Sequence, residues 1–100
     1  MQEPILRKLF LGFIHIHILS HSKKKPIYGM WMIDELKRHG YDISPGTIYP
    51  IFHSLEKNGL IVSENVNVNG KIRKYYNITK KGIDILEETK EKVKELTKEL

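Results

Sequence analysis

One hundred residues, 40% hydrophobic and 29% charged, suffice for a single domain with a modest core, and domains this small often complete their burial by dimerising. The absence of cysteine excludes a disulfide-stapled extracellular framework, and the N-terminus lacks the long apolar run of a signal peptide or membrane span, so a cytoplasmic protein is expected. The net charge of +5 is unevenly spread: residues 1–82 carry thirteen basic and six acidic side chains (net +7), whereas residues 83–100 carry four and six (net −2), which suits a body that meets nucleic acid, although a membrane surface would attract the same charge.

Pro4 suits the first turn of a helix, and Ile5, Leu6, Leu9, Phe10, Phe13, Ile14 and Leu19 continue it to about residue 20. Ile14-His15-Ile16-His17-Ile18 alternates like a strand, but it prolongs a helical stripe and has no hairpin partner nearby, so helix is the reading. The helix is apolar on more than one face. Its own domain would cover one side, and a second subunit the other through Leu6, Phe10 and Phe13. Ser22-Lys23-Lys24-Lys25-Pro26 reads as a basic turn. A second helix follows over Tyr28 to Arg38, with Met32, Ile33 and Leu36 inward, Trp31 packing in the core or between subunits with stacking on a ligand as the lesser alternative, and Gly40 closing it.

After the turn Gly40-Tyr41-Asp42-Ile43, Ser44 before Pro45 marks a third helix, with Thr47 as a second possible cap. Pro50 removes one backbone bond unless it falls in the first turn, which leaves the start open between Ser44 and Thr47. Ile48, Ile51, Phe52 and Leu55 give a buried stripe, and Asn58-Gly59 ends the helix. The other face carries Thr47, Tyr49, His53, Ser54 and Lys57, all able to bond or stack, as insertion into a DNA groove requires.

Leu60 to Val62 and Ile72 to Ile78 read as two strands around a tip at Asn67-Val68-Asn69-Gly70. Lys71, Arg73 and Lys74 beside the tip are placed to reach backbone phosphates, and Tyr75 and Tyr76 point to opposite faces, one of them to the core. Thr79 caps a last helix that runs roughly 33 Å to the chain end. Its Leu86, Thr89, Val93, Leu96 and Leu100 alternate at three and four residues, a narrow seam that, with the first helix, would hold a dimer.

Ser44-Pro45-Gly46-Thr47-Ile48-Tyr49-Pro50 followed by Leu55-Glu56-Lys57-Asn58-Gly59-Leu60-Ile61 resembles the signature of PadR-type transcriptional regulators. Arg73-Lys74-Tyr75-Tyr76-Asn77-Ile78-Thr79-Lys80-Lys81-Gly82 resembles the family's second wing strand and last-helix entry, and Pro26-Ile27-Tyr28-Gly29 the start of its second helix. Met30 and Trp31 depart from the family's usual aromatic-then-acidic pair after that glycine. The resemblance spans roughly residues 5 to 100. It implies an α+β, mainly helical winged helix-turn-helix over residues 1–82, continuous with a C-terminal dimerisation helix over residues 83–100.

The resemblance further implies a regulator, most often a repressor, that binds a near-palindromic operator as a homodimer and is tuned by a small aromatic effector. DNA contacts are expected from Ser44, Gly46, Thr47, Tyr49, Pro50, His53 and Lys57 of the third helix and from Asn69, Lys71, Arg73 and Lys74 of the wing. The dimer interface is expected from Leu6, Phe10, Phe13, Leu86, Val93, Leu96 and Leu100. His17 and His21, four apart, invite a metal, but no carboxylate or thiolate lies near them in sequence and two ligands make a weak site, so no metal or other cofactor is expected. No nucleophile–base–acid set or phosphate-cradling glycine loop is present, so no enzyme is expected either. The competing reading is a winged-helix module that docks a protein and never reads DNA. Salt separates the two, since phosphate binding weakens steeply as salt rises.

Overall fold

In the computed structural model, which describes residues 3–100, α1 runs from Pro4 to Lys24. Residues 1 and 2 of the expected 1–82 unit lie outside the described range. The Glu3 carboxylate caps α1, accepting from the Ile5 and Leu6 amides at 2.5 and 3.3 Å. The alternating Ile-His segment is helical: Ile14 and Ile18 are fully buried at the centre of the core. The helix extends past residue 20 through the expected basic turn to Lys24, with Ser22 buried and its hydroxyl donating to the Leu19 carbonyl at 3.2 Å.

Helix α2 (Gly29–Arg38) and helix α3 (Pro45–Lys57) form the helix-turn-helix. Both end in the same motif. Tyr41 and Gly40 donate back to Leu36 and Lys37, and Leu60 and Gly59 donate back to Leu55 and Glu56, which satisfies the last carbonyls of each helix. Ser44 is the N-cap of α3 and Pro45 opens it, so Pro50 lies inside the helix and not in its first turn. Its missing N–H leaves the Gly46 carbonyl without an intrahelical donor, on the exposed face where water can serve.

The wing is a two-stranded antiparallel sheet, β1 (Ile61–Val68) and β2 (Lys71–Ile78), paired from Ile61 opposite Ile78 to Val68 opposite Lys71. Both strands start or end beyond the sequence expectation, and the turn proper is the pair Asn69-Gly70, at φ +53° and +85°. Positive φ at both central residues matches the right-handed strand twist, and the Asn67 side chain accepts from the Gly70 amide at 2.9 Å. An isolated bridge joins Ile27 to Tyr76 on the other edge of β2, so the segment before α2 acts as a third short strand. Tyr76 is the inward tyrosine, stacked on Phe52 with ring centroids 4.4 Å apart.

Helix α4 (Lys80–Glu99) starts at Thr79, whose hydroxyl accepts from the Gly82 amide at 3.0 Å. Its early turns, to Leu86, belong to the core, while every residue from Lys90 to Leu100 is exposed. The fold is the expected winged helix-turn-helix. Two interface expectations need correction: Phe10 and Leu86 are 6% and 0% exposed within the one chain, because Phe10 packs on Tyr41 and Leu86 closes the base of the core. They have no surface to offer a second subunit. Leu6, Phe13, Val93, Leu96 and Leu100 are exposed, as are Ile5 and Leu9.

Candidate nucleic-acid interface

The buried stripe of α3, Ile48, Ile51, Phe52 and Leu55, fixes the helix on the core and dictates what its other face shows. Gly46, Tyr49, Pro50, His53 and Lys57 emerge in an exposed row at three- and four-residue spacing. At the start of the row no side chain caps the backbone: the Ser44 hydroxyl lies 3.3 Å from that of Thr47 and makes no amide bond. Pro45 has no amide hydrogen and the Thr47 and Ile48 amides donate to the Ser44 carbonyl at 3.0 and 3.1 Å, which leaves the exposed Gly46 amide at the partly positive start of the helix.

Beside this row, a cleft of about 700 Å³ separates α3 from the wing. The structure brings Tyr49 together there with Asn69, Lys71, Arg73 and Lys74, and adds Tyr28, Met30 and Ile72. No acidic residue lines it. Ser44, Gly46, Thr47, Pro50, His53 and Lys57 do not line the cleft and continue its surface along α3.

Tyr49 is 43% exposed, but its hydroxyl end rests on the start of α2, where a Cβ on Gly29 would come within 2.5 Å of it. It thus presents its ring more than its hydroxyl. Met30 and Ile72, 50% and 68% exposed, were not among the DNA contacts expected from the sequence. The alternation of β2 held the signal for Ile72, since period two puts it on one face with Lys74 and Tyr76.

The wing cations are not equivalent. Arg73 lies over the Tyr28 ring, 4.0 Å from its centroid, and donates to the Tyr75 hydroxyl at 3.4 Å, while Tyr28 and Tyr75 meet edge to face at 5.3 Å. The bond to Tyr75 is the main cause that raises the Arg73 pKa above its already high value. Lys71 and Lys74 are exposed and form no ion pair among the described residues. Arg73, expected to reach backbone phosphates, thus also ties the wing to the segment before α2. Arg73→Ala should lower the melting temperature by a few degrees while Lys71→Ala and Lys74→Ala leave it unchanged, as thermal unfolding by circular dichroism would record.

Comparison with known proteins gives one consistent result. Residues 18–88 match the family model described as the transcriptional regulator PadR-like family. The transcriptional regulator Rv3488 of Mycobacterium tuberculosis is 40% identical over 95 residues, covering 95% of this chain and 89% of its own. A PadR-like transcription factor from Bacteroides fragilis is 30% identical with a TM-score of 0.83, the match covering 96% of this chain and 94% of that one. A PadR family regulator from Eggerthella lenta is 33% identical with a TM-score of 0.84, covering 94% and 83% respectively.

Proposed function

Since the chain belongs to the PadR-like family of transcriptional regulators, and is thus a DNA-binding regulator and no enzyme, we propose that it is a repressor that grips a near-palindromic operator as a homodimer. The cleft carries this reading: a basic, acid-free concavity framed by Tyr49 of α3 and the start of α2 on one side and the wing on the other.

In this proposal α3 enters the major groove. The Gly46 amide and the Ser44 and Thr47 hydroxyls meet a phosphate at the helix start, and Tyr49, Pro50, His53 and Lys57 meet the base edges. Tyr49, with its hydroxyl held on Gly29, contributes ring contact such as a thymine methyl accepts. Asn69, Lys71 and Lys74 follow the backbone beside the groove, while Arg73 fixes the wing's angle through Tyr28.

Dimerisation is proposed through the exposed apolar row Ile5, Leu6, Leu9 and Phe13 on α1 and through Val93, Leu96 and Leu100 on α4. A groove of about 570 Å³ lies between these helices, lined by Phe13, His17, Tyr41 and Val93 among others. Its size and aromatic walls suit a small aromatic effector at the edge of the interface, where binding would alter the spacing of the two recognition helices. Among the described residues no helix is long and apolar enough to cross a membrane.

The test is salt dependence. Lys71→Ala with Lys74→Ala removes four charges per dimer, so the slope of log affinity against log salt should shrink by up to about 3.6, at 0.9 per phosphate. Specific and scrambled DNA should be affected alike, since phosphates carry no sequence. The natural first operator to titrate is the DNA upstream of the protein's own coding region. An unchanged slope would take the wing off the DNA, and a wild type insensitive to salt would favour the protein-docking alternative.

A further inference from the structure

Helices α1 and α2 meet at a cluster that DNA binding does not use. His17 and His21 stand one turn apart on α1, and Glu35 and His39 one turn apart at the end of α2, so each helix presents an i, i+4 pair of donors to the other. Glu35 Oε2 lies 3.8 Å from His21 Nε2 and 3.3 Å from His39 Nε2, and the donor atoms of His21, Glu35 and His39 all lie within 4.8 Å of one another. The His17 ring stands 5.6 Å from that of His39 and 6.0 Å from that of His21, centroid to centroid. We propose that His21, Glu35 and His39, with His17 as a fourth donor, form a site for a divalent transition-metal ion of the zinc class that pins α1 to the end of α2.

Donors about 2.0–2.1 Å from a tetrahedral ion are roughly 3.4 Å from each other. The two spacings around Glu35 already come near this, so His21 and His39 must close on each other and the His17 ring must turn toward them. Imidazole and carboxylate are donors that zinc, nickel and cobalt accept, and a chain without cysteine has no thiolate to draw a softer ion. The side chains of His21 and Glu35 are only 16% and 13% exposed, and Trp31 and Tyr41 set their rings against His21 and His17 as apolar walls.

The protonation states suit the purpose. Burial, before any other cause, pushes both His17 and His21 below the ordinary imidazole value, which keeps a lone pair on each ring at neutral pH. Glu35 is held at about 2, chiefly by the hydrogen bond from Arg38, so it is a carboxylate throughout. That same bond defines the competitor. Arg38 grips both Glu35 oxygens, at 3.0 and 3.1 Å, and a metal ion must displace it from one of them. The earlier expectation of no metal rested on the lack of a neighbouring carboxylate. Glu35 is distant in the chain and adjacent in the fold.

Titrating Zn²⁺ into the full-length protein by calorimetry, with Co²⁺ as a visible-absorption reporter of coordination, tests the site without reference to DNA. One equivalent per chain is expected, with Co²⁺ developing d–d bands. Glu35→Gln and His39→Ala should each weaken binding more than about 100-fold, beyond the 10–100-fold that loss of an outer-shell partner costs. His15→Ala, outside the cluster, should not. Arg38→Ala keeps every donor and removes the competitor, so it should bind more tightly than wild type; its side chain position is 72% exposed and the fold does not depend on it. Absence of saturable one-to-one uptake, or uptake that survives both Glu35→Gln and His39→Ala, overturns the proposal. So does an Arg38→Ala chain that binds no more tightly, because Glu35 is then not a ligand.

Discussion

Leu6→Glu combined with Leu96→Glu is expected to turn the proposed dimer into a monomer and to weaken operator binding by roughly 10²–10⁴-fold, the avidity lost when two linked half-sites must bind singly. Both leucines are about half exposed in the isolated chain, at 51% and 52%, so the carboxylates cost the protomer's core nothing. In a dimer joined through α1 and α4 they would lose water without a partner, which is far more costly than the lost leucine contacts. Exposed large apolar side chains on two helices that pack on one another suit the proposed interface. Truncation is the poorer experiment. A cut at residue 86 would remove Leu86, which is fully buried, and would confuse loss of the dimer with loss of the fold. Light scattering on the double variant decides the matter: a chain that stays dimeric holds its interface elsewhere.

Gly82→Ala should be the most destabilising small substitution in the protein. The first turn of α4 is seated on the chain that leaves α3. Leu60 O accepts from the Thr79 amide at 3.0 Å, the Thr79 hydroxyl donates to the Gly59 carbonyl at 2.6 Å, and Lys81 reaches the Asn58 carbonyl at 2.8 Å. Gly82 lies directly on this junction, where a methyl group would overlap the Leu60 carbonyl oxygen and press on Ile78. Backbone cannot swing aside as a side chain can, so the strain is placed at the upper end of overpacking costs, about 3 kcal/mol. At 4–8 °C per kcal/mol for a domain of this size, the melting temperature should drop by roughly 12–24 °C. A variant that melts like the wild type would show that α4 is not held against Leu60. The same junction matters for regulation. It fixes the angle between α3 and α4, and hence, in the proposed dimer, the separation of the two recognition helices.

The elements of this protein are written in short range, and the sequence alone determined them. Apolar spacing, the Glu3-Pro4, Ser44-Pro45 and Thr79 starts, the closing glycines at 40 and 59 and the Asn69-Gly70 turn specify four helices and a hairpin, because caps and turns depend on residues a few positions apart. The exposed row of α3 was equally legible, since a helix with one apolar stripe leaves only one face to show. Residue roles that depend on a distant neighbour were not. Phe10 and Leu86 look identical in sequence to the exposed Leu6 and Leu96, and only the packing of α1 and α4 on the same core separates them. Arg73 reads as one more wing cation until Tyr28, from before α2, arrives beneath it. Glu35 and His39 join His21 only because the fold sets the end of α2 beside α1. In each case the deciding contact spans a long loop of chain, and local pattern carries no record of which distant surface will fill it.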